Sequence, residues 1–302
     1  MIRIKTKEEI EILKEGGKKL AAILNELGRM ARPGVSTGDL EARACELIEK
    51  AGGRPAFKDL ELPNGERFPS ALCTSINHEI VHAPALPSRA LNNGDKIGID
   101  VGMEYPLKPD PRAKNKFSKL GGYYTDTAIT VAVGEAGEEV NRLLQVTKEC
   151  LAKGIAKAVA GNTVNDIGLA VQEHAEKSGY SVVRDLVGHG VGHDYHEDPH
   201  VPNYGREKEN SGSIDLKPGM VIAIEPMVNI GGYEIETADD GMTFVTADKS
   251  LSAQFEHTVA ITEDGELCAL QKGGDHALTV AEISKMLDIA TDKTNELRKL
   301  MG

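Results

Sequence analysis

The sequence lacks several features that would assign it to common classes of protein. Its 302 residues contain no tryptophan and only 4% aromatic residues, and no apolar run approaches the roughly 18 residues of a membrane span. The charged N-terminus, MIRIKTKEEIEIL, does not resemble a signal peptide. The four cysteines have no metal-ligand spacing, which predicts free thiols in a reducing compartment: Cys45, Cys73, Cys150 and Cys268. A cytoplasmic protein without a membrane segment is therefore expected.

Positive charge is also scarce. The chain has 35 lysines and arginines against 47 aspartates and glutamates, a net charge of −12. This balance argues against a protein that coats nucleic acid, although it identifies no substrate. With 40% hydrophobic residues, the chain has enough apolar material for a sizeable core.

Apolar periodicity predicts two similar series of elements. In the first, Thr6 and Glu9 form a capping box that starts a helix to about residue 31, and a second helix covers 39–50. Strands are predicted at 70–82, 95–103 and 122–133. In the second series, helices cover 136–160 and 164–178, and strands cover 181–188, 219–230, 242–246 and 252–262.

The second series of elements repeats part of the first in sequence, which is the pattern of an internal repeat. GVSTGDLEARACELIEKAG, from Gly34, aligns with GNTVNDIGLAVQEHAEKSG, from Gly161, and Asp39 then matches Asp166. Two polar amphipathic helices can also resemble each other by chance, but the matching order of elements favours duplication. Two such halves predict a pseudo-symmetric sheet with helices on its outer face and a site between the halves.

Four carboxylates interrupt runs that are otherwise apolar. They are Asp100 in KIGIDVG, Asp126 in YYTDTAITVAV, Glu225 in MVIAIEPMV and Glu256 within the strand of SAQFEHTVAIT. Buried carboxylates are costly unless positive charge compensates them, and no lysine or arginine in these strands is an evident partner for all four. The pattern therefore indicates that cations bind there.

His189, in VGHGVGHDYHEDP, completes the set, and the glycines on both sides of it permit close approach of the backbone. Four carboxylates and one imidazole balance two divalent cations in formal charge and leave a bridging position for water or hydroxide. Oxygen-rich ligands with one nitrogen favour Mn, Fe, Co or Zn. Each residue alone has an ordinary structural explanation, so the prediction depends on the five together.

At this point the sequence resembles the type I methionine aminopeptidases, which have the pita-bread fold. The resemblance covers about residues 5–262 and is carried by CTSINHEIVHAPAL, GIDVG, YTDTAIT, GHGVGHDYHEDP, AIEPMV and SLSAQFEHTVAIT. It implies an α+β fold with a pseudo-two-fold antiparallel sheet and helices on the outer face. It also implies that a hydroxide bridging two metal ions removes the N-terminal methionine from nascent proteins and peptides.

The resemblance also implies residue roles. Asp126 and Glu256 would bridge the metals, and Glu225 would be a proton shuttle as well as a ligand. His82 would contact the scissile amide, and His196 would contact the carbonyl oxygen as negative charge develops on it. The full set of implied ligands is Asp100, Asp126, His189, Glu225 and Glu256. The implied methionine pocket is Phe68, Cys73, Tyr195 and Met227.

The pocket region departs from the family in two places. Met242 stands where family members often carry a tryptophan, and a flexible thioether side chain can still line a methionine pocket. The stretch RPAFKDLELPNGERFPS is longer than typical, which adds Phe57 and Leu60 as candidates for the pocket rim. The shape of the pocket is therefore expected to differ from that of the family.

The remaining departures are an insertion and a tail. The insertion, about 104–121, contains three prolines and a local excess of basic residues, so it is either a solvated surface loop or a contact with ribosomal RNA. The sequence predicts one catalytic domain over 1–262, with halves 1–134 and 135–262. An extension follows over 263–302 and contains an amphipathic helix, which packs back on the domain or contacts a partner. A monomer is expected. The basic residues of the insertion are Lys108, Arg112, Lys114, Lys116 and Lys119, and the apolar stripe of the helix is Val280, Ile283, Met286, Leu287 and Leu297.

Two other functions are compatible with the pattern. Xaa-Pro peptidases have the same fold and ligands but usually carry a large N-terminal domain before the catalytic one. A non-enzymatic pita-bread protein would bind nascent chains or nucleic acid, but such relatives lose metal ligands. The short spacing from His196 to Glu225 favours type I over type II enzymes, which insert a helical subdomain there.

Overall fold

The computed structural model describes residues 1–62, 65–205 and 213–262, together with the backbone of 266–269 and 278–279. The helices are α1 (Lys7–Met30), α2 (Thr37–Ala51), α3 (Glu138–Ile155) and α4 (Val164–Lys177). The strands are β1 (Arg54–Pro55), β2 (Leu72–Ile76), β3 (Glu79–Val81), β4 (Lys96–Tyr105), β5 (Tyr123–Ala132), β6 (Ser181–Val182), β7 (Gly188–Gly190), β8 (Glu197–Val201), β9 (Val221–Ile224), β10 (Met227–Asn229), β11 (Ile235–Thr237), β12 (Phe244–Thr246), β13 (Ser252–Gln254), β14 (Glu256–Ala260), β15 (Glu266–Ala269) and β16 (Leu278–Thr279).

The main sheet joins the two halves of the chain at its centre. Its strands follow the order β1-β4-β5-β14-β9-β7-β8, with β2 also paired to β4. Strands β1, β4 and β5 come from the first half, and β14, β9, β7 and β8 come from the second. The halves meet where β5 pairs antiparallel with β14, with Ala128 opposite Glu256. A site at this junction therefore receives side chains from both halves.

The internal repeat is visible in the backbone. Helices α2 and α4 each begin with a capping box, in which Ser36 or Thr163 accepts a hydrogen bond from the backbone N–H three residues later. The aligned glycines before and after these helices adopt left-handed conformations, which glycine reaches without strain. Their φ angles are +87° at Gly34, +92° at Gly161, +82° at Gly52 and +86° at Gly179.

The two faces of the main sheet have different chemistry because side chains alternate along each strand. On β4, one set of alternate residues packs into the core beneath α1 and α2: Ile97, Ile99, Val101 and Met103. In the second half, Ile222, Ile224 and Val259 pack into a core with residues of α3 and α4. The helices therefore cover one face, and the opposite face carries Asp100 and its neighbours Gly98 and Gly102.

Several predicted strands are divided or displaced. The prediction that Glu256 lies within one strand over 252–262 is wrong, because β13 ends at Gln254 and β14 begins at Glu256. The cause is that β13 pairs with β10, whereas β14 pairs with β5 and β9 of the main sheet. Strands β1, β8 and β11 were not predicted.

The insertion is shorter than the sequence indicates at its N-terminal side, because β4 continues through Tyr105 and β5 starts at Tyr123. The connecting residues 106–122 are called the insertion loop below. Arg112 pairs with Glu15 and with Asp110, so its charge is neutralised locally. The other basic residues of the loop are exposed: Lys108, Lys114, Lys116 and Lys119.

At the C-terminal side, the sheet continues past residue 262, because β15 pairs with β14. The predicted helix between Val280 and Leu297 lies outside the described residues. Within the part of the chain that the structure describes, none of the helices is both long and apolar enough to span a bilayer. Cys45, Cys73 and Cys150 are free thiols.

Candidate metal centre

The register of the main sheet brings three of the predicted ligands together. Ala128 on β5 lies opposite Asp100 on β4 and opposite Glu256 on β14, so its small side chain is flanked by two carboxylates. Asp126 lies two residues along β5 and therefore points to the same face. Cross-strand and diagonal neighbours on one face are within side-chain reach of each other. Three residues distant in sequence therefore share one buried region.

His189 reaches this region because glycine surrounds it. A Cβ atom on Gly188 would lie 2.3 Å from the carbonyl oxygen of Ala223, and one on Gly190 would lie 2.1 Å from that of Asp198. Any larger residue at either position would push β7 away from β9 and β8. The GHG sequence therefore permits the close strand packing that places the imidazole beside the carboxylates.

The hydrogen bonds of His189 leave one nitrogen lone pair facing a carboxylate. Nδ1 donates to the carbonyl oxygen of Gly190 at 2.8 Å, and because a carbonyl only accepts, Nδ1 carries the proton. Nε2 lies 3.6 Å from Glu225 Oε1. Burial, together with His196 nearby, lowers the pKa of His189 to about 3, so the ring is neutral at physiological pH. Two acceptors therefore face each other, which is an arrangement that a cation stabilises.

The carboxylates have too few partners to remain charged alone. Asp100 Oδ1 and Glu256 Oε1 are buried and have no hydrogen-bond partner among the described residues. Burial, followed by the charges of neighbouring carboxylates, raises the pKa of Asp100 and of Glu256 well above the usual range. The same causes raise the pKa of Glu225, although a hydrogen bond from Gln254 at 3.2 Å opposes them.

This donor set fits divalent metal ions. Ligand atoms of Asp126, His189 and Glu256 all lie within 4.8 Å of one another. The unpartnered oxygens of Asp100 and Glu256 and the free lone pair of His189 are on the same side of the sheet. A hard or borderline cation bound by several oxygens and one nitrogen would satisfy these atoms and offset their negative charge.

The metal centre opens into a cavity of about 970 Å³. Every predicted ligand lines it, and so does each residue predicted to contact substrate: Phe68, Cys73, His82, Tyr195, His196, Met227 and Met242. Phe57 and Leu60 line it as well. Several of these apolar side chains form one cluster, which also includes Leu62. The arrangement can therefore hold an apolar side chain next to the ligands.

Both predicted substrate histidines line the cavity. His82 follows β3 in a left-handed conformation, with φ of +61°, and its ring meets the edge of Phe244 at 5.5 Å. Desolvation by the surrounding protein, followed by His196 nearby, lowers the pKa of His82 to about 4, although the side chain is exposed to solvent at the cavity. The His196 ring lies 4.0 Å from the His189 ring and 4.9 Å from the Tyr195 ring, measured between centroids.

Sequence reasoning missed residues that support the ligands. Gln254 donates to Glu225 Oε2, and Asn203 Nδ2 donates to the Glu225 carbonyl oxygen at 3.1 Å. Gln254 precedes Glu256 by two positions, so strand alternation could have placed both side chains on one face. The contact between Phe244 and His82 has no signal in the sequence, because it depends on the pairing of β12 with β3.

Comparison with known proteins agrees with this geometry. Residues 11–263 match the profile of metallopeptidase family M24. A methionine aminopeptidase of Clostridium acetobutylicum is 44% identical over 265 residues, which are 88% of this chain and 97% of the relative. The crystal structure of a methionine aminopeptidase from Thermotoga maritima has a TM-score of 0.79 at 39% identity and covers 90% of this chain and 100% of that one.

Two further similarities are weaker. A prolidase from Pyrococcus horikoshii has a TM-score of 0.66 at 20% identity, with 91% of this chain but 65% of the prolidase covered, and shares the fold. Residues 246–293 match domain 2 of a 3′ exoribonuclease family, but this segment is a small part of the chain and overlaps the M24 match. The predicted pita-bread fold and the predicted family are confirmed. The chain therefore belongs to metallopeptidase family M24 and, within it, to the methionine aminopeptidases.

Proposed function

We propose that this protein removes the N-terminal methionine from nascent proteins and peptides by metal-dependent hydrolysis. The observation that carries the proposal is the group of four carboxylates and one imidazole at the base of an apolar cavity of about 970 Å³. The sequence identity with a methionine aminopeptidase over most of the chain supports the proposal. A free N-terminus with an apolar first side chain is the substrate that such a cavity fits.

The cofactor proposed is a pair of divalent ions, Mn, Fe, Co or Zn. Such ions, when bound, polarise the scissile carbonyl and provide a nucleophile at neutral pH. Asp126 and Glu256 come from the two halves of the sheet, and both would help to hold the ions. The residues that would hold the ions are Asp100, Asp126, His189, Glu225 and Glu256.

The chain's own residues would then direct the proton and the substrate. Gln254 holds Glu225 Oε2, so that the carboxylate keeps one orientation and can move a proton through its other oxygen. His82 is neutral at physiological pH and can donate one N–H to the scissile amide or accept from it. His196, beside the ligand His189, is positioned to donate to the carbonyl oxygen as its negative charge develops.

The apolar side chains that line the cavity, called the apolar wall below, would select the substrate. The proposed methionine pocket is made of Phe68, Cys73, Tyr195, Met227 and Met242, which all line the cavity. Met242 packs against the same cluster as Leu60 and Leu62, so the wall contains flexible side chains that can adapt to a thioether.

Further parts of the proposal concern organisation and location. We propose that 1–262 act as one catalytic domain with 263–302 as an extension, and that the protein works as a cytoplasmic monomer where polypeptides are made. The exposed lysines of the insertion loop would contact ribosomal RNA. Exposed positive charge on a protein of net charge −12 supports such a local contact.

The experiment that tests the function compares two peptide classes with the purified protein. Protein treated with chelator is supplied with Mn, Fe, Co or Zn, and release of the first residue is measured from Met-Gly-Met and from a matched Xaa-Pro peptide. Metal-dependent release of methionine, with slower cleavage before proline, is expected. Faster Xaa-Pro cleavage would show a prolidase-type enzyme. No release from either peptide with any of the four metals would leave only a binding function.

A further inference from the structure

The insertion loop contains one buried polar side chain among exposed neighbours. Asn115 is 1% exposed, whereas Lys114 and Lys116 on either side of it are exposed. Asn115 Nδ2 donates to the carbonyl oxygen of Gly122 at 2.6 Å and to that of His193 at 2.8 Å. Both donors of the amide are therefore used, and one of them ties the loop to the segment that precedes His196.

A ring contact reinforces the same attachment. The Phe117 ring lies 5.2 Å from the His193 ring, and the Arg3 guanidinium lies 4.1 Å from the Phe117 ring centre. His193 Nε2 also forms a hydrogen bond of 2.8 Å with Glu9 Oε1. His193 is therefore fixed both by α1 and by the insertion loop.

The base of the loop is anchored to the same region through Glu104. This carboxylate is fully buried and accepts hydrogen bonds from Ser118 Oγ and from the backbone N–H of Gly122. It also accepts a bond of 3.2 Å from the Tyr124 hydroxyl. The Tyr124 ring meets the Tyr195 ring at 6.5 Å, and the Tyr195 ring contacts that of His196. Two separate parts of the loop therefore lead to the segment 192–196.

We propose that the insertion loop is an internal brace of the segment 192–196, and that Asn115 is the positioning residue through which it holds His196 at the cavity. This inference rests on the proposed function, because it assigns the loop a part in peptide cleavage. It is separate from any contact of the exposed lysines with RNA. The loop itself does not line the cavity, so its effect on substrate passes through Tyr195 and His196.

A double-mutant cycle tests the proposal. Asn115→Ala, His196→Ala and the double variant are compared, with Leu120→Ala, an exposed residue of the same loop, as the control. Asn115→Ala is expected to lower kcat about 5- to 30-fold, with KM changed less than about threefold and bound metal unchanged. In the His196→Ala background, the same substitution is expected to change kcat by less than about twofold, because residues that act together are not additive. Leu120→Ala should leave kcat unchanged.

If Asn115→Ala lowers kcat equally with His196 present and with His196→Ala, its role is a general structural one and the proposal is overturned. Phe117→Ala provides a second measurement if Asn115→Ala does not fold, because the Phe117 ring is 61% exposed and its removal leaves no large cavity. It is expected to lower kcat by about two- to fivefold, again only when His196 is present. A kcat of Phe117→Ala equal to that of wild type would overturn the proposal. If the wild-type protein releases no methionine, the proposed function fails. If the wild-type protein releases methionine and these variants do so at the same kcat, only the proposed brace is wrong.

Discussion

His189 Nε2 lies 3.6 Å from Glu225 Oε1, and His189 supplies no proton to this contact, because its single imidazole proton is on Nδ1 and bonded to the Gly190 carbonyl. A neutral lone pair opposite a partly buried carboxylate gains little from its neighbour. The pair becomes favourable when a cation lies close to both atoms. This relationship explains why glycines surround His189, since only they bring β7 close enough to β9.

Replacing a ligand carboxylate by its amide should separate metal binding from folding. Glu256→Gln replaces a carboxyl whose ionised form is opposed by burial and by the charges of Asp126, Glu225 and Asp100. The chelated variant should therefore melt at the same temperature as the chelated wild type or a few degrees higher. The rise in Tm on adding Mn should be smaller than in wild type, because ligand binding at 100 times Kd stabilises by about 2.7 kcal/mol. Thermal melts and elemental analysis measure both effects, with exposed Glu49→Gln as the control; an unchanged metal content would contradict the assignment.

The residue that orients Glu225 should affect metal affinity without being a ligand. Gln254→Ala removes the hydrogen bond to Glu225 Oε2. Loss of such a partner is expected to weaken metal binding about 10- to 100-fold. Titration of chelated protein with Mn or Co, followed by calorimetry, measures the change against Gln145→Ala on the exposed face of α3. An affinity within twofold of wild type would mean that the hydrogen bond does not support the ligand.

The two glycines that flank Asp100 provide a matched pair for the cavity wall. A Cβ on Gly102 would lie 2.8 Å from the ring of Phe57 and 2.9 Å from Ala56 Cβ, whereas one on Gly98 meets nothing closer than 3.6 Å. Gly102→Ala should therefore displace Phe57, raise KM for methionyl peptides severalfold and cost about 1–3 kcal/mol of unfolding free energy. Gly98→Ala should have little effect on KM. Steady-state kinetics and urea unfolding of both variants test this, and equal KM values would show that Phe57 is not part of the wall.

Lys96 should make stability depend on pH in an unusual direction. Its ammonium group is buried, bonds the carbonyl oxygens of Ser75 and Glu79, and has a pKa lowered by burial to about 7, although the charge of Glu79 opposes this. Between about pH 7 and 10 the unfolded chain binds this proton and the folded chain does not, so the Lys96 contribution to stability rises with pH.

The matching variant is Lys96→Met, which removes that titration. The unfolding free energy of wild type minus that of Lys96→Met should increase from pH 6.5 to pH 8.5, by at most about 1.4 kcal/mol per pH unit. Urea unfolding in the presence of chelator measures it without interference from metal binding. Lys153→Met, at an exposed position of α3, should show no such trend. A constant difference across this range would mean that Lys96 keeps its proton when folded.

Charge reversal tests the proposed ribosome contact. Lys114→Glu, Lys116→Glu and Lys119→Glu together should reduce co-sedimentation with ribosomes at low salt, because phosphate contacts provide most of such binding. A control with the same net charge reverses three exposed lysines elsewhere: Lys18 on α1, Lys153 on α3 and Lys157 in the turn after α3. Cleavage of short peptides should be the same for both variants. Co-sedimentation equal to that of the control would remove the RNA contact from the proposal.

Much of the fold and the candidate ligand set followed from local signals. The repeat was readable because Gly34 and Gly161 precede helices that start in the same way, and the candidate ligands stood out because carboxylates are rare in apolar strands. Strand boundaries were less predictable. The break between Gln254 and Glu256 has no local cause and arises because β13 and β14 pair with different sheets.

By itself, the sequence determined the elements, the repeat and the residues that are too costly to bury without cations, because these depend on local periodicity and on the chemistry of single side chains. Tertiary structure decided the relations between distant segments. Only the register of β4, β5 and β14 places Asp100 and Glu256 on either side of Ala128, and only packing places Asn115 against the carbonyl of His193. Such contacts depend on which strands and loops become neighbours, which no local pattern specifies.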